Sequence, residues 1–194
     1  MNIGIYIYDN AEVLDFSGPF EVLSTAKRLG AENWHVFLIA EYTKPVVARG
    51  GYHVLPHYSI QHHPPIDVLL VAGGVHGGEL AKSELSRWIR ALEPTARIMA
   101  SVCTGAFLLA QAGLLDGRSV TTHWQDIPEL TSQFPGLNVV NNRRWIVDGK
   151  YITSGGISAG IDMSLYLVSI LHSPALAGQV ARQMEYRWQI NPEA

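Results

Sequence analysis

Short apolar runs alternate with amphipathic segments along the chain, the pattern of an α/β protein with a mainly parallel sheet. NIGIYIY predicts a first strand ending near Tyr8, and WHVFLIA a second. Between them, SGPFEVLSTAKRLG places Val22, Leu23, Ala26 and Leu29 on one helical face. Ser17 or Gly18 is the expected cap, Pro19 suits the first turn, and Gly30 marks the stop. Residues 46–58 predict a small excursion of strands and turns. DVLLVAGG, from Asp67 to Gly74, is an unbroken apolar run closed by paired glycines, as a strand buried on both faces requires. SELSRWIRALE then predicts a helix, ARIMASV a strand, and a further helix begins near Thr104. RSVTTHW reads as a strand with a turn, QDIPELTSQF as a short helix, and RWIVDGKYITSGG as a hairpin about Asp148-Gly149. Two helices complete the chain: ISAGIDMSLYLVSILH, and SPALAGQVARQMEYRW with Ser173 as cap and Pro174 in its first turn.

The chain has 194 residues, of which 47% are hydrophobic and 16% charged, and no repeat or linker divides it. The expectation is one domain over residues 1–194. A formal charge of −3 gives no basic footprint for nucleic acid or acidic lipid. No run reaches the roughly 18 apolar residues of a membrane span, and the start lacks the basic segment of a signal peptide. The single cysteine cannot form an internal disulfide, which fits a reducing, cytoplasmic setting.

Open parallel sheets bind ligands beyond the carboxyl ends of their strands. Asp15 follows the first strand, Gly73-Gly74 the third long one, and Cys103 the strand ARIMASV. If these strands are parallel, the three features share one pocket. A lone cysteine is usually a small buried hydrophobe, and Asp15 and the glycines can be read as turn residues. Their coincidence at three strand ends favours a nucleophile. Amides at the start of the next helix can lower a thiol below its free pKa of about 8.5, so a partly accessible, acidic Cys103 is expected. Gly105 relieves crowding at such a turn. The N–H groups of Gly74 and Thr104 are candidates for an anion hole, and Asp15 for the acid or base, its pKa raised beside a thiolate.

The segments SVCTGAFLLAQAGLLDGRSVTTHW, VLDFSGPFEVL, LLVAGG and GGISAGIDMSLYLV resemble the ThiJ/PfpI superfamily, which has the class I glutamine amidotransferase-like fold. The resemblance runs from Ile3 to about Tyr186. It implies a flavodoxin-like three-layer α/β/α sandwich, a homodimer, and Cys103 at a sharp elbow. A Cys-Thr-Gly elbow paired with an aspartate in the Leu-Asp position is similar to isocyanide hydratases, which convert an isocyanide and water into an N-substituted formamide. That likeness implies a small-molecule electrophile attacked by Cys103, proton handling by Asp15, and no cofactor. The same motifs resemble the N-terminal domains of AraC-type transcription regulators, which implies a small-molecule or redox sensor instead. The chain ends at EYRWQINPEA without room for two helix-turn-helix units, so it is not expected to bind nucleic acid by itself.

Protease and glyoxalase members of the superfamily commonly place His after the cysteine, where this chain has Thr104. His123, in TTHW, reads as a polar core or interface residue that can approach the pocket. His53, His57, His62 and His63 read as a solvated edge, since no carboxylate or cysteine completes a metal-ligand spacing. GGVHGG lacks the Lys-Ser/Thr of a P-loop, and SGGISAG lacks the context of a dinucleotide fingerprint. Gly155 and Gly156 are expected to let a helix start approach the pocket, Asp162 to cap or pair structurally, and Met184 and Trp188 to cover a core or dimer surface.

Overall fold

A computed structural model describes residues 1–190. In chain order it forms β1 (Asn2–Tyr6), α1 (Val13–Leu29), β2 (His35–Ala40), β3 (Val46–Ala48), β4 (Tyr52–Val54) and β5 (Tyr58–Ser59). Next come β6 (Val68–Val71), α2 (Gly77–Leu80), α3 (Ser83–Leu92), β7 (Ile98–Val102) and α4 (Gly105–Gln111). The chain continues through β8 (Ser119–Val120), α5 (Ile127–Gln133), β9 (Asn138–Val139), β10 (Trp145–Asp148), β11 (Tyr151–Ser154), α6 (Ser158–Leu171) and α7 (Pro174–Gln183).

Seven strands form the central sheet in the order β10-β11-β7-β6-β1-β2-β5, parallel throughout except for the β10–β11 hairpin. The chain moves from β1 to β2 toward one edge and from β6 to β7 toward the other. Right-handed crossovers therefore put α1 and α3 on opposite faces. Helices α1, α6 and α7 pack together on one side, and α2, α3 and α4 on the other, which gives three layers. Both sheet faces are thus covered, and every residue of β6 and β7 is buried. The strand order reverses between β1 and β6, the place where ligands bind in such sheets.

Several boundaries differ from the sequence reading. Helix α1 begins at Val13, so Asp15 lies in its first turn and Pro19 in its interior; neither Ser17 nor Gly18 caps it. A proline's missing N–H costs a helix one hydrogen bond, but packing of the buried face outweighs that loss. Gly18 serves packing instead: a Cβ there would come within 2.9 Å of Ile161 Cγ1 on α6. Leu29 is largely outside the core. The RSVTTHW segment contributes only β8, paired with β9 in a separate two-stranded sheet. Helix α7 stops at Gln183, short of Trp188, although Ser173 caps it as expected, its Oγ accepting from Leu176 N–H at 3.2 Å.

Gly105 lets α4 press against the sheet. A Cβ on it would lie 2.2 Å from the Val71 carbonyl oxygen, so backbone must move to admit any side chain. Gly105→Ala is expected to lower unfolding stability by about 3 kcal/mol, the upper part of the usual overpacking cost. Urea denaturation at fixed pH measures it; a midpoint unchanged from wild type contradicts the contact.

Candidate active site

The site is assembled at the carboxyl ends of β1, β6, β7 and β11. Asp15 enters from α1 and is wholly buried. Its Oδ1 accepts from Ile157 N–H at 2.9 Å and its Oδ2 from Gly73 N–H at 3.2 Å. Cys103 lies beside the same carboxylate: a Cβ on Gly73 would come within 2.7 Å of Cys103 Cβ and 2.8 Å of Asp15 Oδ2, and the two acidic groups act on each other electrostatically. Asp15 and Cys103 are thus brought together, with Gly73 wedged between the strand ends.

Cys103 is the turn residue between β7 and α4, with φ 56°. The left-handed conformation is costly for a residue with a Cβ and persists only when its surroundings impose it. Here they do: Cys103 N–H donates to Ser154 O at 3.1 Å, and its carbonyl accepts from Thr122 Oγ1 at 2.8 Å. Cys103 is only 8% exposed and lines a cavity of about 530 Å³. Thr104, Gly74, His76, His123 and Ile157 are among the residues around it.

The electrostatics correct one expectation. Burial pushes the Cys103 thiol above its ordinary value, and the Asp15 charge adds to the rise; the Thr104 N–H opposes them and loses. The thiol is therefore not acidic at rest. Burial likewise lifts Asp15 from 3.8 to about 7, against the lowering effect of the Ile157 and Gly73 amides. The lowest-cost arrangement of a buried acid pair is one proton on sulfur, shared with a carboxylate.

A second correction concerns the proposed anion hole. The Gly74 N–H donates to Thr104 Oγ1 at 2.8 Å, and that hydroxyl donates back to Gly74 O at 2.9 Å. Gly74 is therefore engaged with Thr104, which leaves the Thr104 amide as the member of the pair that faces sulfur.

The Ile157 amide was not legible in the sequence. Ile157 has φ 58° and precedes α6, and this backbone turn aims its N–H at Asp15. The pair Gly155-Gly156 was the only signal nearby. His123 lies at the cavity wall, its Nδ1 3.4 Å from Asp126 Oδ2 and 3.4 Å from Gln125 N. Asp162 is structural, as expected: its buried carboxylate pairs with Arg144 and accepts from Gln189 N–H at 2.9 Å. Met184 and Trp188 pack against the core. Of the four histidines at the edge, His57 accepts from Leu38 N–H at 3.0 Å and His63 from Trp88 Nε1 at 2.9 Å. No group of three or more metal-ligating side chains occurs among the described residues, and none of their helices is long and apolar enough to cross a membrane.

The sequence pattern of the DJ-1/PfpI family matches residues 1–170. The chain is 34% identical over 188 residues to an isonitrile hydratase of Pseudomonas putida, an alignment covering 96% of this chain and 78% of that protein. It is also 34% identical over 173 residues to an HTH-type transcriptional regulator of Pseudomonas aeruginosa, covering 88% of this chain. There it spans about half of the relative's length, 51%. Among solved structures, a THiJ/PfpI family protein from Pseudomonas syringae superposes with a TM-score of 0.86 at 24% identity, covering 100% of this chain and 76% of that one. Drosophila melanogaster DJ-1beta superposes with a TM-score of 0.83 at 21% identity, covering 96% and 98%. At those identities the superpositions establish the fold alone.

Proposed function

We propose that this chain, which belongs to the DJ-1/PfpI family, is an enzyme that adds water to an isocyanide (isonitrile) to give an N-substituted formamide. The observation that carries the reading is Cys103 set beside a buried carboxylate, both crowding Gly73, with that carboxylate's pKa near 7. A base poised near neutrality takes a proton from its partner as the nucleophile attacks. Sulfur bonds the terminal isocyanide carbon while Asp15 removes the thiol proton and delivers it to that carbon. No free thiolate forms, so a raised thiol pKa does not oppose the step. The product is a thioimidate, R–N=CH–S–Cys103. Water then adds to its carbon, the nitrogen gains a proton, and the C–S bond breaks to release R–NH–CHO and the thiol. The Thr104 N–H stabilises negative charge on sulfur at both stages.

The regulator at 34% identity supports a second reading, a sensor domain that binds a small electrophile without turnover. The two readings separate in one assay. Purified protein is mixed with several aliphatic and aromatic isocyanides, and formamide is followed by NMR. Catalytic turnover, many formamides per protein, is the expected result; stoichiometric binding without product supports the sensor. A homodimer in the cytoplasm belongs to the same proposal by family resemblance. Sedimentation at micromolar concentration should show twice the mass of 21.3 kDa, and a monomer alone removes that part.

A further inference from the structure

The cavity that Cys103 lines is unevenly charged. Three carboxylates face it, those of Glu12, Asp126 and Glu129, against one arginine, Arg49. Arg49 is already engaged, its Nη1 3.2 Å from Glu12 Oε2. Asp126 Oδ2 stands 3.4 Å from His123 Nδ1, but the Gln125 N–H donates to that nitrogen. Nδ1 is therefore an acceptor and offers the carboxylate no proton. Glu129 has no ion pair among the described residues. Two negative charges are thus left without a cation. Arg143 and Arg144 line a second hollow that shares His123 and Ile157 with this one, and Arg144 is paired there with Asp162.

The two acids act from one direction. Asp126, Glu129 and Gln133 stand three and seven residues apart, which puts them on one face of α5. Carboxylates at a helix start are often caps, but the Asp126 side chain makes no cap hydrogen bond. Its charge does reach sulfur: after burial and Asp15, Asp126 adds to the rise of the Cys103 thiol. Val75, Gly77 and Leu80 complete the lining with small or apolar groups, which suit alkyl carbons and supply no positive charge.

We propose that this cavity selects isocyanides whose side chain carries a positive charge, with Asp126 and Glu129 holding the cation and Cys103 meeting the isocyanide carbon. This rests on the hydratase reading and names a substrate class for it. A cleft lined by one sign of charge concentrates the opposite ion and speeds its capture by about 10- to 1000-fold. A cation paired with Asp126 also cancels the field that this carboxylate sets against negative charge on sulfur. An anionic side chain meets the same field with the opposite sign.

The test compares three propyl isocyanides that differ only at the far carbon, which bears trimethylammonium, its neutral isostere tert-butyl, or carboxylate. Formamide formation by purified wild type gives kcat/KM for each. The cationic substrate should exceed the neutral one by about tenfold, the lower end of electrostatic focusing, and the anionic one should fall below both. Tert-butyl is the more apolar group, so hydrophobic burial alone predicts the reverse order. Added salt should shrink the cationic advantage, because charges near solvent are screened within about 10 Å at 0.1 M. Glu129→Gln, which removes one of the two charges, should cut the cationic-to-neutral ratio by about threefold, and Asp126→Asn should cut it likewise; circular dichroism checks that both fold. A neutral substrate that matches or beats the cationic one overturns the proposal. So does a cationic preference that salt and both substitutions leave unchanged. Wild type that converts none of the three overturns the hydratase reading itself, and this inference with it.

Discussion

Cys103→Ala is expected to abolish formamide production, by at least about 10⁴-fold in kcat, in a protein that still folds. The size follows from covalent chemistry: without sulfur no thioimidate forms, and hydration must proceed by direct attack of water on the isocyanide. The fold should survive because alanine keeps the Cβ, and the backbone that holds the turn is bonded elsewhere, to Ser154 and Thr122. The left-handed φ of 56° is as strained for alanine as for cysteine, so that cost is unchanged. Removing sulfur from its buried place should cost about 1 kcal/mol, which thermal unfolding will register as a small shift. Formamide formation is measured for both proteins with the same isocyanide. Activity within tenfold of wild type would remove Cys103 from the mechanism.

Asp15→Asn is the second large effect, and it acts in opposite directions on activity and on stability at high pH. The amide nearly keeps the volume and one acceptor for the Ile157 N–H, but it cannot take the thiol proton. Turnover should fall by about 10³-fold. In wild type, kcat/KM should rise as pH passes through about 7 and then level off, because the ionised carboxylate is the active form. That limb should be missing from the residual activity of the variant. Stability runs the other way. Asp15 is raised from 3.8 to about 7 in the folded protein, so its favourable contribution is complete below about pH 4 and is lost as pH rises through 7. At about 1.4 kcal/mol per pH unit, wild type loses about 4 kcal/mol from this group across that window. The asparagine variant has no such loss. Its melting temperature relative to wild type should therefore increase between pH 5 and pH 8. A constant difference across that range would mean that Asp15 is not buried as a charged group.

Much of this arrangement was legible in the one-dimensional pattern. The apolar runs around Ile5, Leu69 and Ala100 located three central strands, because a strand buried on both faces tolerates little else. Their parallel order then placed Asp15, Gly73 and Cys103 along one edge, since strands joined by right-handed crossovers end on the same side. The start of α1 was misread because Pro19 and Ser17 look like a local beginning, whereas packing of Phe16 and Asp15 beneath the sheet edge extends the helix upstream. The thiol pKa was misjudged for a related reason. A helix start is visible in sequence, but the depth at which sulfur is buried, and the carboxylate facing it, are properties of the assembled layers. The amides of Ile157 and Gly73 carry no side-chain signature, and only their backbone directions in three dimensions turn them onto Asp15. The sequence by itself determined which strands and which reactive groups exist, because burial period and residue chemistry are local. The tertiary structure alone decided their protonation and their partners, because desolvation and hydrogen-bond direction depend on what distant segments bring to the same point.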